Sequence, residues 1–416
     1  MIAPEEARAF VLEGLAALAP EESGLAEALG CVAAQEVRAS EPVPGFSNSS
    51  MDGYALRAVD TSSGPTRLRV TGTIFAGDAP GPRLGTGEAM RIMTGAPLPT
   101  GADCVSMIEE VRVEPDAQSV VILRTINEGE FVRHPGEDVA IGQVLVEPGR
   151  ELGATQIGVL SGQGLAAVSV HPRPRVGVLS TGDELAGTGT VLAPGQIRDV
   201  NRPMLLTLLR QSDFTPIDLG VVGDDQAQTK SALRNAVAEC DAVISTGGVS
   251  VGDVDFVKSV LAEVCEGRAR WMQVAMRPGK PFAFGTAGSR NTPIFGLPGN
   301  PVSTRVSYEM FVRPALRRLA GHQTLQRPLF DAVLDCAMAR QRDEKLYLVH
   351  VVVRYLEDRQ LHVLSSSRHG SHLLSAVAEA NALALVPDGD GLDIGDVVQV
   401  MVLDGALLGA DPEAAS

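Results

Sequence analysis

The chain has 416 residues, of which 44% are hydrophobic and 21% charged, a composition typical of a globular protein with about two to four domains. Its net charge of −16 argues against nucleic acid or anionic membranes as partners, so an anionic ligand would need local cations and backbone amides. No apolar run is long enough to span a membrane, and the amino terminus is no secretory signal. Five scattered cysteines without a Cys-x-x-Cys pair indicate buried thiols and predict a cytoplasmic protein.

The first 170 residues predict a helical or mixed domain that is interrupted by a β-rich one. Apolar residues at helix spacing predict helix over 4–38, and 140–170 return to a helix-compatible pattern. Between them, short β-branched runs alternate with Gly/Pro turns. We therefore predict an N-terminal domain of 1–40 with 140–170 and an inserted β domain of 41–139. Strands are expected at 68–70, 89–93, 105–108 and 120–123.

A proline-rich hinge at 171–175 opens a domain in which strands and helices alternate to about residue 325. Such alternation favours a three-layer α/β domain with a largely parallel sheet, whose ligands sit at the carboxyl ends of the strands. The residues from 326 to 416 read as a further β domain with a hairpin. The strands are predicted at 176–180, 242–245, 293–297, 346–353 and 361–364, and the helices at 202–211, 256–264 and 301–319.

The segment Asp241–Asp255 carries the most informative pattern, an apolar run followed by Gly-Gly-Val-Ser-Val-Gly-Asp-Val-Asp. Glycines let a ligand approach backbone N–H groups, and the dipole of the following helix favours an anion. The carboxylates of Asp253 and Asp255 then suit a divalent metal held between protein and phosphate. An ordinary β–α connection with aspartate as helix cap explains the same residues.

A second loop, Val178–Glu184, repeats this pattern, because Thr181, Gly182 and Asp183 again follow a buried strand. The two loops should share one edge of the sheet. An ordinary turn with an aspartate cap is the alternative.

Two further loops combine glycine and proline with one polar side chain. Lys280, in Arg277–Gly285, is one of only four lysines against thirty-one arginines, which suggests a place where a compact ammonium meets an oxyanion. A solvated turn lysine is the alternative. In Leu297–Ser303, Asn300 and Pro301 predict a helix N-cap and first turn, and that helix start could also face ligand.

The β-rich module contributes Asp52 and Thr94, which composition alone assigns to turns whose side chains bond nearby backbone. The chain has no Gly-x4-Gly-Lys-[Ser/Thr] loop, Gly-x-Ser-x-Gly elbow or His-Glu-x-x-His helix, and its seven histidines show no metal-ligand spacing.

Eight ordered motifs together resemble the MoeA and gephyrin E-domain family of molybdopterin molybdenumtransferases, over about residues 1 to 385. They begin at residues 51 (Met-Asp-Gly-Tyr-Ala), 91 (Arg-Ile-Met-Thr-Gly-Ala-Pro), 133 (Arg-His-Pro-Gly-Glu-Asp), 180 (Ser-Thr-Gly-Asp-Glu-Leu), 194 (Pro-Gly-Gln-Ile-Arg-Asp-Val-Asn), 247 (Gly-Gly-Val-Ser-Val-Gly-Asp-Val-Asp), 278 (Pro-Gly-Lys-Pro) and 297 (Leu-Pro-Gly-Asn-Pro-Val-Ser).

This resemblance implies an enzyme that uses Mg²⁺ and molybdate. It inserts molybdate into adenylylated molybdopterin and cleaves the phosphoanhydride, which yields molybdenum cofactor and AMP. It also implies a molybdopterin-binding-like α/β domain, a C-terminal β-barrel-like domain and a homodimer with composite active sites. The adenylyltransferase of the preceding step and the molybdoenzyme apoproteins are the protein partners that the resemblance suggests.

Matched residue by residue, the motifs imply a set of functional side chains. The catalytic ones are Asp52, Thr94, Glu184, Asp224, Asp255 and Lys280. The ligand-binding ones are Thr181, Gly182, Asp183, Gly247, Gly248, Ser250, Pro298, Asn300, Pro301 and Ser371. The metal-holding ones are Asp255, Glu184 and Asp253.

The C-terminal domain departs from the family pattern. Where many relatives carry Gly-Arg-x-x-Phe-x-Arg, this chain has Asp343-Glu-Lys-Leu-Tyr-Leu-Val, and the Gln-Gly-Ser loop reads Arg368-His-Gly-Ser371. Two alternatives to the transferase are an adenylyltransferase-type activity, which needs only the α/β domain, and a non-catalytic scaffold or cofactor carrier.

Overall fold

The computed structural model describes residues 1–115, 118–187, 189–247, 256–366, 374–405 and residue 408. The chain forms two compact units. One unit comprises residues 1–34, 148–153 and the chain from 167 onward, and the other comprises 35–147 and 154–166. The four-domain division expected from the sequence stays a prediction.

The secondary structure elements are labelled in chain order. The strands are β1 (Glu21–Gly24), β2 (Val32–Ala33), β3 (Val37–Arg38), β4 (Asn48–Ser49), β5 (Gly53–Leu56), β6 (Thr66–Ile74), β7 (Glu88–Ile92), β8 (Cys104–Met107), β9 (Val111–Val113), β10 (Ser119–Ile122), β11 (Val132–Arg133), β12 (Val144–Val146), β13 (Ala167–His171), β14 (Arg175–Thr181), β15 (Leu185–Ala186), β16 (Ile197–Arg198), β17 (Thr215–Val222), β18 (Ala242–Thr246), β19 (Arg270–Gln273), β20 (Met276–Arg277), β21 (Pro281–Ala287), β22 (Thr292–Leu297), β23 (Leu329–Leu334), β24 (Met338–Ala339), β25 (Leu346–Tyr355), β26 (Leu361–Ser366), β27 (Ala382–Val386), β28 (Gly391–Leu392) and β29 (Val397–Val402). The helices are α1 (Pro4–Leu12), α2 (Ala154–Gly162), α3 (Asn201–Gln211), α4 (Gln226–Glu239), α5 (Phe256–Val264), α6 (Pro301–Ser307), α7 (Arg313–Leu319) and α8 (Leu374–Ala378), with 3₁₀ turns at Ala58–Thr61 and Ile108–Glu110.

The unit made of 35–147 and 154–166 is built on a six-stranded sheet in the order β8-β5-β7-β6-β10-β9. Its apolar side chains pack into two clusters, one around Leu56, Leu68 and Ile122 and the other around Ile74 and Ile92. The four strands predicted for the β-rich module are confirmed as β6, β7, β8 and β10.

The other unit contains the predicted α/β sheet, with the strand order β17-β14-β18-β22-β21-β19. The first four strands run parallel, whereas β21 and β19 are antiparallel to their neighbours. Side chains of α3 and α6 pack in the apolar cluster on one face, and those of α4 and α5 pack in the cluster on the other. Both faces are therefore covered, which confirms the three-layer architecture.

The helix predicted over 301–319 is continuous but irregular. It consists of α6, a π-helical turn at Tyr308–Val312 and α7. Pro314 lies in the first turn of α7 and has no N–H for the carbonyl one turn earlier, which accounts for the widened turn before it.

The prediction of helix over 4–38 is wrong beyond residue 12. α1 ends at Leu12, Gly14 has a φ of +74°, and residues 21–24 and 32–33 are strands on either side of β13. Gly14 ends the helix, and pairing with a strand about 140 residues later lies outside any local pattern. The helix-compatible stretch 140–170 contains only one helix, α2.

The C-terminal strands close into a barrel in the order β25-β26-β23-β29-β27, because β27 also pairs with β25. The predicted hairpin is β25 with β26, and the barrel-like domain is confirmed. The two-residue strand β20 joins this sheet at the edge of β25. All five cysteines are free; four are buried and Cys336 is half-buried.

Candidate active site

Three of the predicted loops meet at one edge of the α/β sheet. Strands β14, β18 and β22 are adjacent and parallel, so their carboxyl ends carry Thr181–Glu184, Gly247 and Pro298–Asn300 side by side. Lys280 precedes β21, which runs antiparallel to β22, and it therefore lies at the same edge. The prediction that the Thr181–Glu184 and Gly247 loops share one edge of the sheet is confirmed.

The first two loops touch through their backbones. Gly247 has a φ of +97°, and a Cβ atom there would lie 2.3 Å from the Thr181 carbonyl oxygen. The hydroxyl of Thr181 donates a hydrogen bond of 3.3 Å to the carbonyl of Thr246. In the third loop, a Cβ on Gly299 would lie 3.8 Å from the Cα of Gly247. Glycine at 247 is thus required by sterics, because any side chain would collide with Thr181.

Two exposed aspartates are linked beside these loops. The Oδ1 atom of Asp183 accepts a hydrogen bond of 3.0 Å from the backbone N–H of Asp224, and the Asp183 N–H reaches Oδ2 of Asp224 at 3.5 Å. Asp224 follows β17, the neighbour of β14, so the sheet brings it to the Thr181–Glu184 loop. Gly182 lies close to the Glu184 carboxylate, since a Cβ at 182 would be 2.4 Å from its Oε2.

Pro298, Asn300 and Pro301 start α6 in the predicted way. The Asn300 Oδ1 atom accepts hydrogen bonds from the N–H groups of Val302 at 3.1 Å and Ser303 at 3.4 Å, which confirms the N-cap. Pro301 is the first helical residue, and the Pro298 carbonyl accepts a bond from Thr304. A pocket-wall role for these residues stays a prediction.

The ammonium of Lys280 is exposed and has no carboxylate partner among the described residues. The other lysines are engaged: Lys230 pairs with Glu263, Lys345 pairs with Asp343, and Lys258 lies over the ring of Trp271. Lys280 is anchored by its backbone, because its carbonyl accepts a bond of 2.8 Å from Val274. An anion-binding role for Lys280 stays a prediction.

Asp52 and Thr94 lie together in the unit of 35–147 and 154–166. One oxygen of Asp52 accepts two hydrogen bonds of 2.7 Å, from the backbone N–H and from the hydroxyl of Thr94. These bonds lower the pKa of Asp52, so the exposed carboxylate is ionised at neutral pH. The pair joins two loops, the one before β5 and the one after β7, and not a single local turn as composition suggested.

The ends of strands β14 and β18 also carry a polar network that was not predicted from the sequence as part of the site. The Ser180 hydroxyl donates to Asp199 at 3.1 Å and contacts the Thr246 hydroxyl at 3.1 Å, while Asp199 accepts a bond of 2.9 Å from Arg202. Asn201 donates to the Gly299 carbonyl at 2.8 Å, and its Oδ1 atom is buried without a partner among the described residues. The sequence signal for this network is the run Arg198-Asp-Val-Asn-Arg202. Before the fold is known, that run indicates an ordinary helix start.

Five predicted site residues, Gly248, Ser250, Asp253, Asp255 and Ser371, lie outside the described residues. Within the described part of the chain, no group of three His, Cys, Asp or Glu side chains is arranged to hold a metal ion. The same part contains no helix that combines the length and apolarity needed to cross a bilayer.

The fold and this edge define a class: a three-layer α/β domain with Gly-rich turns at the carboxyl ends of its parallel strands, set between additional N- and C-terminal regions. Family models match in that order. Residues 2–164 match "MoeA N-terminal region (domain I and II)", 177–318 match "Probable molybdopterin binding domain", and 332–403 match "MoeA C-terminal region (domain IV)".

Comparison with whole proteins gives the same result. The chain is 35% identical over 402 residues to molybdopterin molybdenumtransferase of Haemophilus influenzae, covering 96% of this chain and 98% of that protein. It is 36% identical over 409 residues to molybdopterin molybdenumtransferase 2 of Mycobacterium tuberculosis, with the same coverage. Two solved MoeA structures from Pyrococcus horikoshii superpose with TM-scores of 0.82 and 0.80 at 32% and 28% identity, over 97% of this chain and all of theirs. The chain belongs to the MoeA family of molybdopterin molybdenumtransferases.

Proposed function

We propose that this protein inserts molybdate into adenylylated molybdopterin and cleaves its phosphoanhydride, releasing molybdenum cofactor and AMP. The observation that carries the proposal is the convergence of the Thr181–Glu184, Gly247 and Pro298–Asn300 loops, together with Lys280, at one sheet edge in a chain that covers 98% of a molybdopterin molybdenumtransferase. The family matches extend well beyond the α/β domain, and they give no support to the adenylyltransferase alternative.

Backbone and side-chain groups at this sheet edge would bind an anionic ligand in different ways. The backbone of the Gly247 loop is proposed to meet phosphate oxygens, whereas the Gly182 N–H already donates a bond of 3.1 Å to the Val222 carbonyl and so holds its own loop in place. Lys280 supplies a positive charge that no described carboxylate neutralises. Such fixed donors and charges stabilise the negative charge that builds up as the phosphoanhydride breaks.

Mg²⁺ is proposed as the required metal, held by Glu184 with Asp253 and Asp255. The Glu184 carboxylate is exposed at the sheet edge, and its hard oxygen atoms suit this ion. When bound, the ion would withdraw charge from the phosphates. Asp183 and Asp224 fix the loop on which Glu184 lies through their mutual backbone bonds.

The active protein is proposed to be a cytoplasmic homodimer in which Asp52 and Thr94 of one chain complete the site of its partner. Their pairing supports this role, because an exposed carboxylate held by two donors is already oriented for a ligand. The adenylyltransferase of the preceding step and the molybdoenzyme apoproteins are the proposed protein partners.

The test is AMP release from adenylylated molybdopterin by the purified protein with Mg²⁺, with and without molybdate. The proposal predicts release that depends on both ions. AMP release at the same rate with and without molybdate would contradict the transferase reaction. Formation of adenylylated molybdopterin from ATP and molybdopterin would instead favour the adenylyltransferase.

A further inference from the structure

The segment just before Lys280 pairs with a strand of the C-terminal barrel. Between β19 and β21 the chain forms β20, which pairs in parallel with β25 so that Met276 lies beside Leu346 and Arg277 beside Tyr347. The N–H of Leu346 also donates a bond of 3.0 Å to the Ala275 carbonyl. The barrel therefore holds one flank of the Lys280 loop by strand pairing.

Tyr347, on β25, is held in place by Arg340 and Asp343. The guanidinium carbon of Arg340 lies 4.1 Å from the centre of its ring, a cation–π contact. The Arg340 side chain is only 1% exposed and is itself held by Asp343 and Asp388. The Tyr347 hydroxyl donates a bond of 3.2 Å to Asp343. Arg340 and Asp343 thus leave the tyrosine little freedom to move.

Arg277 also contacts this anchored tyrosine. Its guanidinium carbon is 5.3 Å from the Tyr347 ring centre, and its Nη1 atom donates a bond of 3.2 Å to the Tyr347 hydroxyl. Only two residues, Pro278 and Gly279, separate Arg277 from Lys280. The segment between them is packed tightly, because a Cβ on Gly279, whose φ is +98°, would lie 2.5 Å from the Met276 methyl and 3.0 Å from the Ser307 hydroxyl.

The segment presents two exposed cations, Arg277 and Lys280. Neither is ion-paired with a carboxylate among the described residues. The nearby acid, Asp343, is already engaged by Arg340 and Lys345. In a chain of net charge −16, such a pair of unneutralised cations is a specific place for an anion.

We propose that Tyr347 is a positioning residue: it holds Arg277, and through it the segment 277–280, where the two cations meet the oxyanion of the substrate. The inference rests on the proposed function and deepens it, because it assigns to the divergent C-terminal stretch a role in binding molybdate or the phosphate of AMP. Tyr347 acts through Arg277 and does not itself contact the reacting atoms.

The test is titration of the full-length protein with molybdate alone and with AMP alone by calorimetry, beside steady-state kinetics in molybdate. Tyr347→Leu removes both the ring contact and the hydrogen bonds, and it should weaken binding of the anion at this segment by about 5- to 20-fold. Tyr347→Phe keeps the ring contact and should lose about 2- to 5-fold. The half-saturating molybdate concentration should rise more than kcat falls if molybdate is that anion, whereas weaker AMP binding alone assigns the segment to the phosphate.

Tyr355→Leu is the matched control, since Tyr355 is an exposed tyrosine at the far end of the same strand, β25. It should bind both anions as the unaltered protein does. Tyr347→Leu combined with Arg277→Ala should be no weaker than Arg277→Ala alone, because the tyrosine acts through the arginine. Additive losses would overturn the positioning role.

Lys280→Ala separates failure of the inference from failure of the proposed function. Weak anion binding by Lys280→Ala with unaltered binding by Tyr347→Leu and Tyr347→Phe overturns the role of Tyr347 and leaves the function intact. Absence of molybdate-dependent turnover in the unaltered protein contradicts the function itself.

Discussion

The backbones of Gly247 and Thr181 are in direct contact, so that a Cβ atom at position 247 would come within 2.3 Å of the Thr181 carbonyl oxygen and 2.8 Å of its hydroxyl oxygen. Since the clash involves backbone on both sides, the two loops cannot keep their separation if residue 247 gains a side chain. This contact fixes the spacing of two of the loops proposed to bind phosphate.

Gly247→Ala is therefore expected to lower the free energy of unfolding by roughly 1–3 kcal/mol and to weaken AMP binding. Gly220→Ala is the control, because Gly220 also has a positive φ, +79°, but open space around its Cα. The control should lose stability only through backbone strain and should bind AMP normally. Equal effects of the two substitutions on binding would show that the loop contact does not matter.

Asp224 and Asp225 are adjacent aspartates with different predicted roles. Asp225 caps α4 by accepting a bond of 2.7 Å from the Gln228 N–H, so Asp225→Ala should cost about 1 kcal/mol of stability and leave turnover largely unchanged. Asp224→Asn should keep the fold but lower kcat by roughly tenfold or more, since a charge beside the proposed metal site is lost. Thermal unfolding and AMP release measured on both variants check this. Normal turnover by Asp224→Asn would remove Asp224 from the catalytic set.

The pKa of Asp52 offers a test that does not depend on activity. The backbone N–H and then the hydroxyl of Thr94 lower this pKa, so the bonds stabilise the fold above the ordinary pKa of aspartate and are lost as the pH falls through the lowered value. Thr94→Val removes the hydroxyl and should raise the pKa of Asp52 towards its ordinary value. A carboxylate titration followed by NMR measures this directly. An unchanged pKa would mean that the Thr94 hydroxyl does not bind Asp52 in solution.

The sequence predicted the parallel sheet and the loops at its edge because both follow local rules. A buried strand that ends in Thr-Gly-Asp or Pro-Gly-Asn already indicates where a ligand would approach. The Asn300 cap involves residues only two or three positions apart, so it too can be predicted from the local sequence. The bond between Asp52 and Thr94 spans 42 residues, and the contact of Ser180 with Thr246 spans 66, so neither could be derived from local pattern.

The wrong prediction of helix beyond residue 12 also results from contacts between residues far apart in the sequence. Residues 13–38 carry helix-like apolar spacing, yet β1 and β2 pair with β13, and backbone hydrogen bonds to a distant strand outweigh weak local propensity. Tyr347 could not be singled out either, because its significance depends on the pairing of β20 with β25. Comparison with the family pattern Gly-Arg-x-x-Phe-x-Arg shows that this stretch is divergent, but it does not single out Tyr347.

Composite active sites can be tested with a mixed dimer of Asp52→Ala and Asp255→Ala chains. If each cleft takes Asp52 from one chain and Asp255 from the other, one cleft carries both substitutions and the other carries neither. About half of the unaltered activity should then return, although each homodimeric variant is inactive. A mixed dimer as inactive as its parents would place both residues in the same chain's site.

The coupling of AMP release to molybdate insertion is the central claim, and a single-turnover reaction tests it most directly. Purified protein, adenylylated molybdopterin, Mg²⁺ and molybdate are mixed, and AMP and molybdenum cofactor are quantified together. The account predicts equal amounts of both products and neither product when molybdate is omitted. AMP formed at the same rate without molybdate, or without accompanying cofactor, would contradict it.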